Sequence, residues 1–311
     1  MGRYLVTSLL ILIMLCGTAW CTSSNSETTA NTALDRLPPL VFGYTPQVFY
    51  NVDPKDAITL IDTWTRISQS NLNKKVKIST VNYKTFEESQ KALEKNEVDI
   101  LVMIPEEFIK LRVKFDLEPV MSADYGTHFY NDLLLVVRKG DGIIRLEQLR
   151  HKKMNVDVGQ QGTIAIKWLN SQLKTQGLPS SKDFLGSISE FTKSNQALLP
   201  VFFGKADSCL VSQSHYETMS EMNPQISSQL YILAHSPGFV TGIIAIRSSV
   251  DRTIRETIVK NLENIDSDPK GRQIMTLFRI NRLVPFQAEH LKSVEKLIQE
   301  SEQVISKPRK Q

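Results

Sequence analysis

The sequence predicts an α/β layer fold of mainly parallel strands, with a second α/β lobe set into its middle. Short apolar runs bounded by turn residues alternate with stretches whose apolar positions recur at three-and-four spacing, the signatures of strand and amphipathic helix. The alternation occurs twice, over residues 40–104 and again over residues 154–234, and the breakers Lys139-Gly140-Asp141-Gly142 and Ser236-Pro237-Gly238 bracket the second series. Strand-helix-strand order is how parallel sheets are connected, because a parallel partner needs a crossover over the sheet face.

Folding is expected to begin at Leu37-Pro38-Pro39. Residues 40–44 read as a strand, and residues 56–70 as a helix with Ala57, Leu60, Ile61, Trp64 and Ile67 on one face. A strand over 76–81, a helix over 85–95 and a buried strand over 98–104 complete the first series. After the extended residues 133–138 come a strand over 154–158 and a helix over 163–176, opened by Gly159-Gln160-Gln161-Gly162. A helix over 195–203, a buried strand over 206–211 and a short strand over 231–234 follow. Residues 243–247 form a last strand, and helices opening at Asp251, Asp268 and Gln287 close the chain, with no tandem repeat of solenoid period.

The 311 residues carry 37 Lys plus Arg against 33 Asp plus Glu and 41% hydrophobic residues, which excludes a disordered or collagen-like polymer. A net charge of +4 names no partner. The one dense basic cluster, Lys307-Pro308-Arg309-Lys310, is a tail without interleaved aromatics, so no nucleic-acid partner is expected. Residues 1–21 read as a secretory signal peptide: Arg3, an apolar run over 4–15, then small residues, too short for a span of ~20 residues. An uncleaved anchor is the alternative. Thr18-Ala19-Trp20-Cys21 resembles a lipobox, which would place a lipid anchor at Cys21, but Trp20 stands where that motif wants a small residue. Residues 22–37 read as a flexible tether. Two of the three cysteines, Cys16 and Cys21, lie in the export signal, and no metal-type spacing involves Cys209.

Several short markers recur in a fixed order: Phe42-Gly43-Tyr44 with Pro46, Glu97-Val98-Asp99-Ile100, the strand entered through Tyr130-Asn131-Asp132, and Leu146-Glu147-Gln148-Leu149 before Met154-Asn155-Val156. Gly204-Lys205-Ala206-Asp207 and His235-Ser236-Pro237-Gly238 continue the series. In this order the chain resembles a type II periplasmic solute-binding protein, and within that class the phosphate/phosphite/phosphonate-binding proteins of ABC transporters. The resemblance runs from about residue 40 to residue 296. It implies two lobes joined by a hinge, with residues 38–138 and 238–311 forming lobe I and residues 139–237 lobe II. It also implies an exported, monomeric protein without cofactor, which captures a small anion between the lobes and presents it to an ABC permease. The alternative job on the same fold is a ligand-sensing module for a membrane signalling protein, with a non-phosphonate ligand.

The resemblance directs attention to helix starts in lobe II, where unpaired N–H groups and the helix dipole can bind an oxyanion without Lys or Arg. One is Gly159-Gln160-Gln161-Gly162-Thr163: Gly162 keeps the family glycine, Gln160 and Gln161 replace its hydroxyl residues, and Thr163 supplies a hydroxyl just downstream. The other is Ser194-Asn195, where Ser194 aligns with an anion-facing residue but is equally an ordinary N-cap. Tyr44 and Tyr130 are expected to line the cleft with apolar faces and hydroxyls, while Tyr125 and Phe129 are read as packing residues. Asp132 would favour a cationic, zwitterionic or hydroxylated ligand if it faces the cleft; local capping at the strand start is the competing role. The stretches Leu210-Val211-Ser212-Gln213 and Val240-Thr241-Gly242 are neutral, which argues against an aminoalkylphosphonate.

An enzyme is the weaker class. Glu106-Glu107 reads as a solvated helix start, Cys209 as a small core residue, and the histidines His128, His215 and His235 as too scattered for a metal. No nucleophile elbow or phosphate loop is present.

Overall fold

The computed structural model describes residues 39–49, 52–71, 77–124, 130–159 and 162–305. The expected export signal and tether, the basic tail, Gln160, Gln161, Tyr125, His128 and Phe129 lie outside the described residues. Two mixed sheets organise the rest. In the first, strands β1 (Leu40–Tyr44), β2 (Ile78–Asn82), β3 (Ile100–Met103), β4 (Leu117–Asp124), β10 (Ile243–Arg247) and β11 (Arg282–Pro285) lie in the order β11-β4-β10-β3-β1-β2. In the second, β5 (Leu133–Arg138), β6 (Lys153–Asp157), β7 (Ser187–Phe191), β8 (Ser208–Ser212) and β9 (Leu230–His235) lie in the order β7-β6-β8-β5-β9.

The parallel pairings are those joined by helices: β1 with β2 and β3, and β6 with β7 and β8. The sequence reading of mainly parallel sheets missed the rest. β10 runs antiparallel to β3 and β4, β11 to β4, and β5 to β8 and β9. β5 and β10 enter their sheets directly from the other lobe, without a crossover helix, and so run in the opposite sense. The division at residue 138 also shifts, because residues 133–138 form β5 of the second sheet. Its five-residue buried run needs two covered faces, which only a central strand position provides. The chain changes lobes at Asn131, whose backbone pairs with Phe239 of the returning segment: Asn131 N–H donates to the Phe239 carbonyl at 2.9 Å, and Phe239 N–H to the Asn131 carbonyl at 3.2 Å.

Helix α1 (Pro54–Asn71) buries Ala57, Ile61 and Trp64 on one face of the first sheet, beside α9 (Arg252–Glu263) and α10 (Pro269–Phe278). The opposite face is covered by α2 (Phe86–Glu94) through Ala92 and Leu93 and by α3 (Pro105–Leu111) through Phe108 and Leu111. Gly43 is required at the centre of β1: a Cβ there would stand 2.7 Å from Tyr83 Cε2 and 2.8 Å from Val98 Cγ2. In the second lobe α4 (Ile164–Thr175) packs Trp168, Leu169 and Leu173 into the core. The final helix, α11 (Lys292–Ile305), lies on α4 rather than on lobe I alone, with Val294 and Leu297 in the lobe II core and Ser171 donating to Glu300 at 2.8 Å. Two more helices, α6 (Ser194–Phe202) and α7 (Gln213–Met222), cover the other face, the first through Ala197, Leu198 and Val201, the second through Tyr216.

Candidate functional site

The ends of β1, β3, β6 and β8 carry Tyr44, the Ile104–Glu107 turn, Asp157 and Ser212, so these residues meet where the two lobes face each other. Ligand crevices in open α/β sheets lie just beyond strand carboxyl ends. A cavity of about 370 Å³ opens here, walled by Tyr44, Gln47, Ala123, Thr241 and Gly242 from lobe I, by Tyr130 and Asn131 at the crossing, and by Ser212 to His215 from the start of α7.

The polar end of this cavity is built around α7, a ten-residue helix whose first N–H groups have no intrahelical partner. Gln213 N–H donates to the Asp132 carbonyl at 2.8 Å, and Ser214 N–H to Asn131 Oδ1 at 3.3 Å. Asn131 Nδ2 returns a bond to Ser214 Oγ at 3.1 Å, which fixes the helix start against the lobe crossing. Three buried polar atoms on the wall are unpartnered among the described residues: Gln47 Oε1, His215 Nε2 and Thr241 Oγ1, with Thr241 only 3% exposed. A buried polar atom without a partner is destabilising by about 1–3 kcal/mol and marks a place where a ligand group or water belongs. Burial, reinforced by the nearby Arg279 charge, pulls the His215 pKa down to about 4, so its imidazole is neutral at pH 7. Arg279 ends α10 in a left-handed conformation at φ 55° and stands exposed at the rim with Glu217 and Glu221. The two glutamates mean that the wall is less neutral than its strand-end stretches suggested.

Both predicted tyrosines are in the wall. The Tyr44 phenol is held protonated by burial, with the Asp62 charge adding to the effect, and its ring packs 5.9 Å from that of Phe49. Tyr130 is half-buried with its ring edge-on to His290 at 6.5 Å. Asp132 does not line the cavity. A Cβ added to Gly238 would stand 3.0 Å from its Oδ1, so this carboxylate lies against the second lobe crossing.

The two predicted helix starts hold the chain's own carboxylates. At α4, Gly162 takes the left-handed conformation with φ 55°, and Thr163 follows it. Thr163 N–H donates to Glu106 Oε2 at 3.2 Å and Thr163 Oγ1 donates to Glu106 Oε1 at 2.7 Å. Lys167 Nζ reaches the same carboxylate at 2.6 Å and Lys110 Nζ at 3.1 Å. Glu106, on α3 of lobe I and 3% exposed, thus fills the N-terminus of a lobe II helix. Burial works against its ionised form, but the bonds from Lys167 and Thr163 and the lysine charges outweigh burial and hold its pKa below the ordinary carboxylate value. At α6, the fully buried Ser194 donates its hydroxyl to Asp157, which also accepts from Gly159 N–H at 3.0 Å. Asn195 is exposed beside it and lines no part of the cavity.

Glu106-Glu107 does open a helix, but not a solvated one. Glu107 is 5% exposed, and its Oε2 accepts from Thr45 Oγ1 at 2.7 Å and from Ile104 N–H at 3.2 Å. Burial drives its pKa up to about 7 despite these bonds and Lys110. Cys209 is fully buried on β8 with its thiol pKa raised by burial. Among the described residues no group of three His, Cys, Asp or Glu side chains could hold a metal ion, and no helix is long and apolar enough to cross a membrane.

Residues 52–291 match the family model of the periplasmic, phosphonate substrate-binding protein of ABC transporters. No curated protein matches the sequence. Among solved structures, the fold is similar to a binding-protein component of a Pseudomonas aeruginosa ABC phosphonate transporter, with TM-score 0.63, 11% identity and coverage of 88% of this chain and 90% of that one. It is also similar to PhnD1 of Prochlorococcus marinus, solved with methylphosphonate, with TM-score 0.63, 12% identity and coverage of 85% and 98%. XAC2383 of Xanthomonas citri, solved with ATP, gives TM-score 0.62 at 14% identity, covering 85% and 97%.

Proposed function

The chain belongs to the periplasmic substrate-binding proteins of phosphonate ABC transporters, and from that membership we propose that it captures a phosphonate-class oxyanion in the cavity between its lobes and presents it to a permease. The observation that carries this reading is the polar end of the cavity. There the start of α7, the unpartnered Thr241 hydroxyl and the Arg279 guanidinium converge on one volume. A hydroxyl and a guanidinium beside the positive end of a helix dipole suit a tetrahedral oxyanion, and neither donor has to change its protonation at pH 7. Asn131 couples the pieces. It belongs to the crossing between the lobes and also holds Ser214 at the helix start, so a ligand settling there fixes the lobe angle that a permease would read. The loop-based anion position at Gly162-Thr163 is left to Glu106, which makes the α7 end the place for the ligand. Export through the residue 1–21 signal is part of the same proposal.

Calorimetric and thermal-shift titration with methylphosphonate, phosphite, phosphate and sulfate tests it. A ligand that binds only the native state at a hundredfold excess over Kd stabilises by about 2.7 kcal/mol, a shift of roughly 5 °C. A response to at least one oxyanion, reduced by about half in Arg279→Ala at the same ligand concentration, is expected. Indifference to all four overturns the reading.

A further inference from the structure

We propose that the ligand is an amphiphile: an oxyanion head carrying an apolar tail that runs from the inter-lobe cleft into the interior of lobe I. This rests on the reading above and specifies its substrate class.

The cavity does not stop at its polar end. It continues between the first sheet and the helices that cover it, where its wall consists of Ile61 and Trp64 of α1, Leu262 of α9, Ile265, and Ile274 and Met275 of α10. All six side chains are buried, between 4% and 8% exposed. These are the residues that should close the core of lobe I, and in a packed interior they would leave no void larger than a water. Here they border the same continuous space of about 370 Å³ as Thr241 and His215. That volume falls in the range of pockets that enclose drug-sized ligands and exceeds what a methyl-bearing oxyanion fills. An interior lined by Ile, Leu, Met and Trp side chains offers water no partners, so its natural occupant is hydrocarbon.

The same cavity is bordered by two kinds of surface: by the α7 start, the nearly fully buried and unpartnered Thr241 Oγ1 and the exposed guanidinium of Arg279, and by the six buried apolar side chains of the lobe I interior. Such a site selects a molecule polar at one end only. A polar or charged tail would bury groups with no partner, whereas an alkyl or aryl substituent replaces empty space with contacts.

The test is calorimetric titration of the full protein with methyl-, butyl- and hexylphosphonate, with hexanol as a headless control. Each methylene that enters the apolar part should tighten binding about three- to fourfold, while hexanol should bind far more weakly than hexylphosphonate. Met275→Trp, which pushes a larger ring into the wall, should flatten the dependence on chain length; Ile274→Phe is the milder substitution if that variant does not fold. Methylphosphonate binding with no gain along the series overturns the amphiphile and leaves the phosphonate reading standing. Hexanol binding as tightly as hexylphosphonate removes the oxyanion head, and failure of every phosphonate to bind overturns both.

Discussion

Glu107 yields a prediction whose size follows from its surroundings. Its carboxyl is buried, accepts only neutral donors from Thr45 and Ile104, and has its pKa raised from 4.5 to about 7. The folded protein therefore holds this proton more tightly than the unfolded chain. The resulting stabilisation is complete below pH 4.5 and is lost as pH rises through 7, in total about 3 kcal/mol. His215 acts in the opposite sense. Its pKa falls from 6.5 to about 4 on folding, so its stabilisation is complete above pH 6.5 and is lost as pH falls toward 4, again by about 3 kcal/mol. Between pH 4.5 and 6.5 the two slopes oppose each other. The native protein should then show a flat urea-unfolding free energy across that window, and Glu107→Gln should convert it into a rise of about 2–3 kcal/mol with increasing pH. Gln retains a carbonyl oxygen for Thr45 and Ile104, so the variant differs from the protonated acid mainly in being unable to ionise. The difference between the two profiles isolates Glu107, because all other groups are common to both. Parallel profiles from pH 4.5 to 6.5 would refute the claim that this carboxyl is proton-bound in the fold.

Four further outcomes are expected. Thr241→Val removes a hydroxyl that bonds nothing among the described residues; stability should hold or rise by up to about 1 kcal/mol, while phosphonate affinity falls roughly fivefold to tenfold by calorimetry. Arg279→Ala should weaken oxyanion binding roughly tenfold and reduce its salt dependence, and should raise the His215 pKa read by NMR, since Arg279 contributes to its depression. An anion bound beside His215 should raise that pKa, so affinity should strengthen as pH falls from 6.5 toward 4, a trend that His215→Gln removes. Glu106→Ala breaks a buried pair and should destabilise by about 3–5 kcal/mol; millimolar acetate or formate, occupying the vacated position on Thr163 and Lys167, should recover part of the lost melting temperature, and absence of any anion-specific recovery would show that this position does not bind carboxylates.

The alternation of apolar runs and helical stripes was enough to read the layered fold, because β1, β3, β6 and β8 are short buried runs and α1 and α4 show apolar faces. The edge strand β7 was not legible: Ser187–Phe191 has no buried residue, so no period marks it. The site suffered more. Helix α7 reads Gln-Ser-His-Tyr-Glu-Thr-Met-Ser-Glu-Met and buries only Tyr216, so it has no apolar stripe, although its first turn makes the polar end of the cavity. Arg279 carries no local signal either, since its position depends on the left-handed end of α10. Tyr44 and Tyr130 could be placed because one ends a strand and the other leads into one, while the stretches holding Ser212 and Thr241 were marked only by the family resemblance. Glu106 and Glu107 were misread as solvated because what buries them is remote: Lys167 is 61 residues from Glu106, and Thr45 is 62 from Glu107.

That misreading bears on how one fold serves different solutes. Three helix starts face the inter-lobe region, and each is electrostatically suited to an anion. Two carry a carboxylate of the chain itself, Glu106 on the Thr163 N–H and hydroxyl at α4 and Asp157 on the Ser194 hydroxyl at α6. An exogenous oxyanion reaching the α4 start would find the Thr163 N–H and hydroxyl and both lysines already engaged by Glu106. Displacing Glu106 instead would break its bonds to Thr163, Lys167 and Lys110. The α7 start differs because its Gln213 and Ser214 N–H groups meet a backbone carbonyl and an amide oxygen rather than a carboxylate, while the Thr241 hydroxyl and the His215 imidazole on the same cavity wall are unpartnered among the described residues and two glutamates stand at the solvent-exposed rim. A carboxylate transferred to the α4 start therefore does two things at once. It ties α3 of lobe I to α4 of lobe II without a ligand, and it leaves the α7 start, on the cavity that also borders the apolar interior of lobe I, as the proposed anion position. On this reasoning, Glu106 sets where the ligand's head must lie, and the head's position next to that interior determines that the tail can be hydrocarbon.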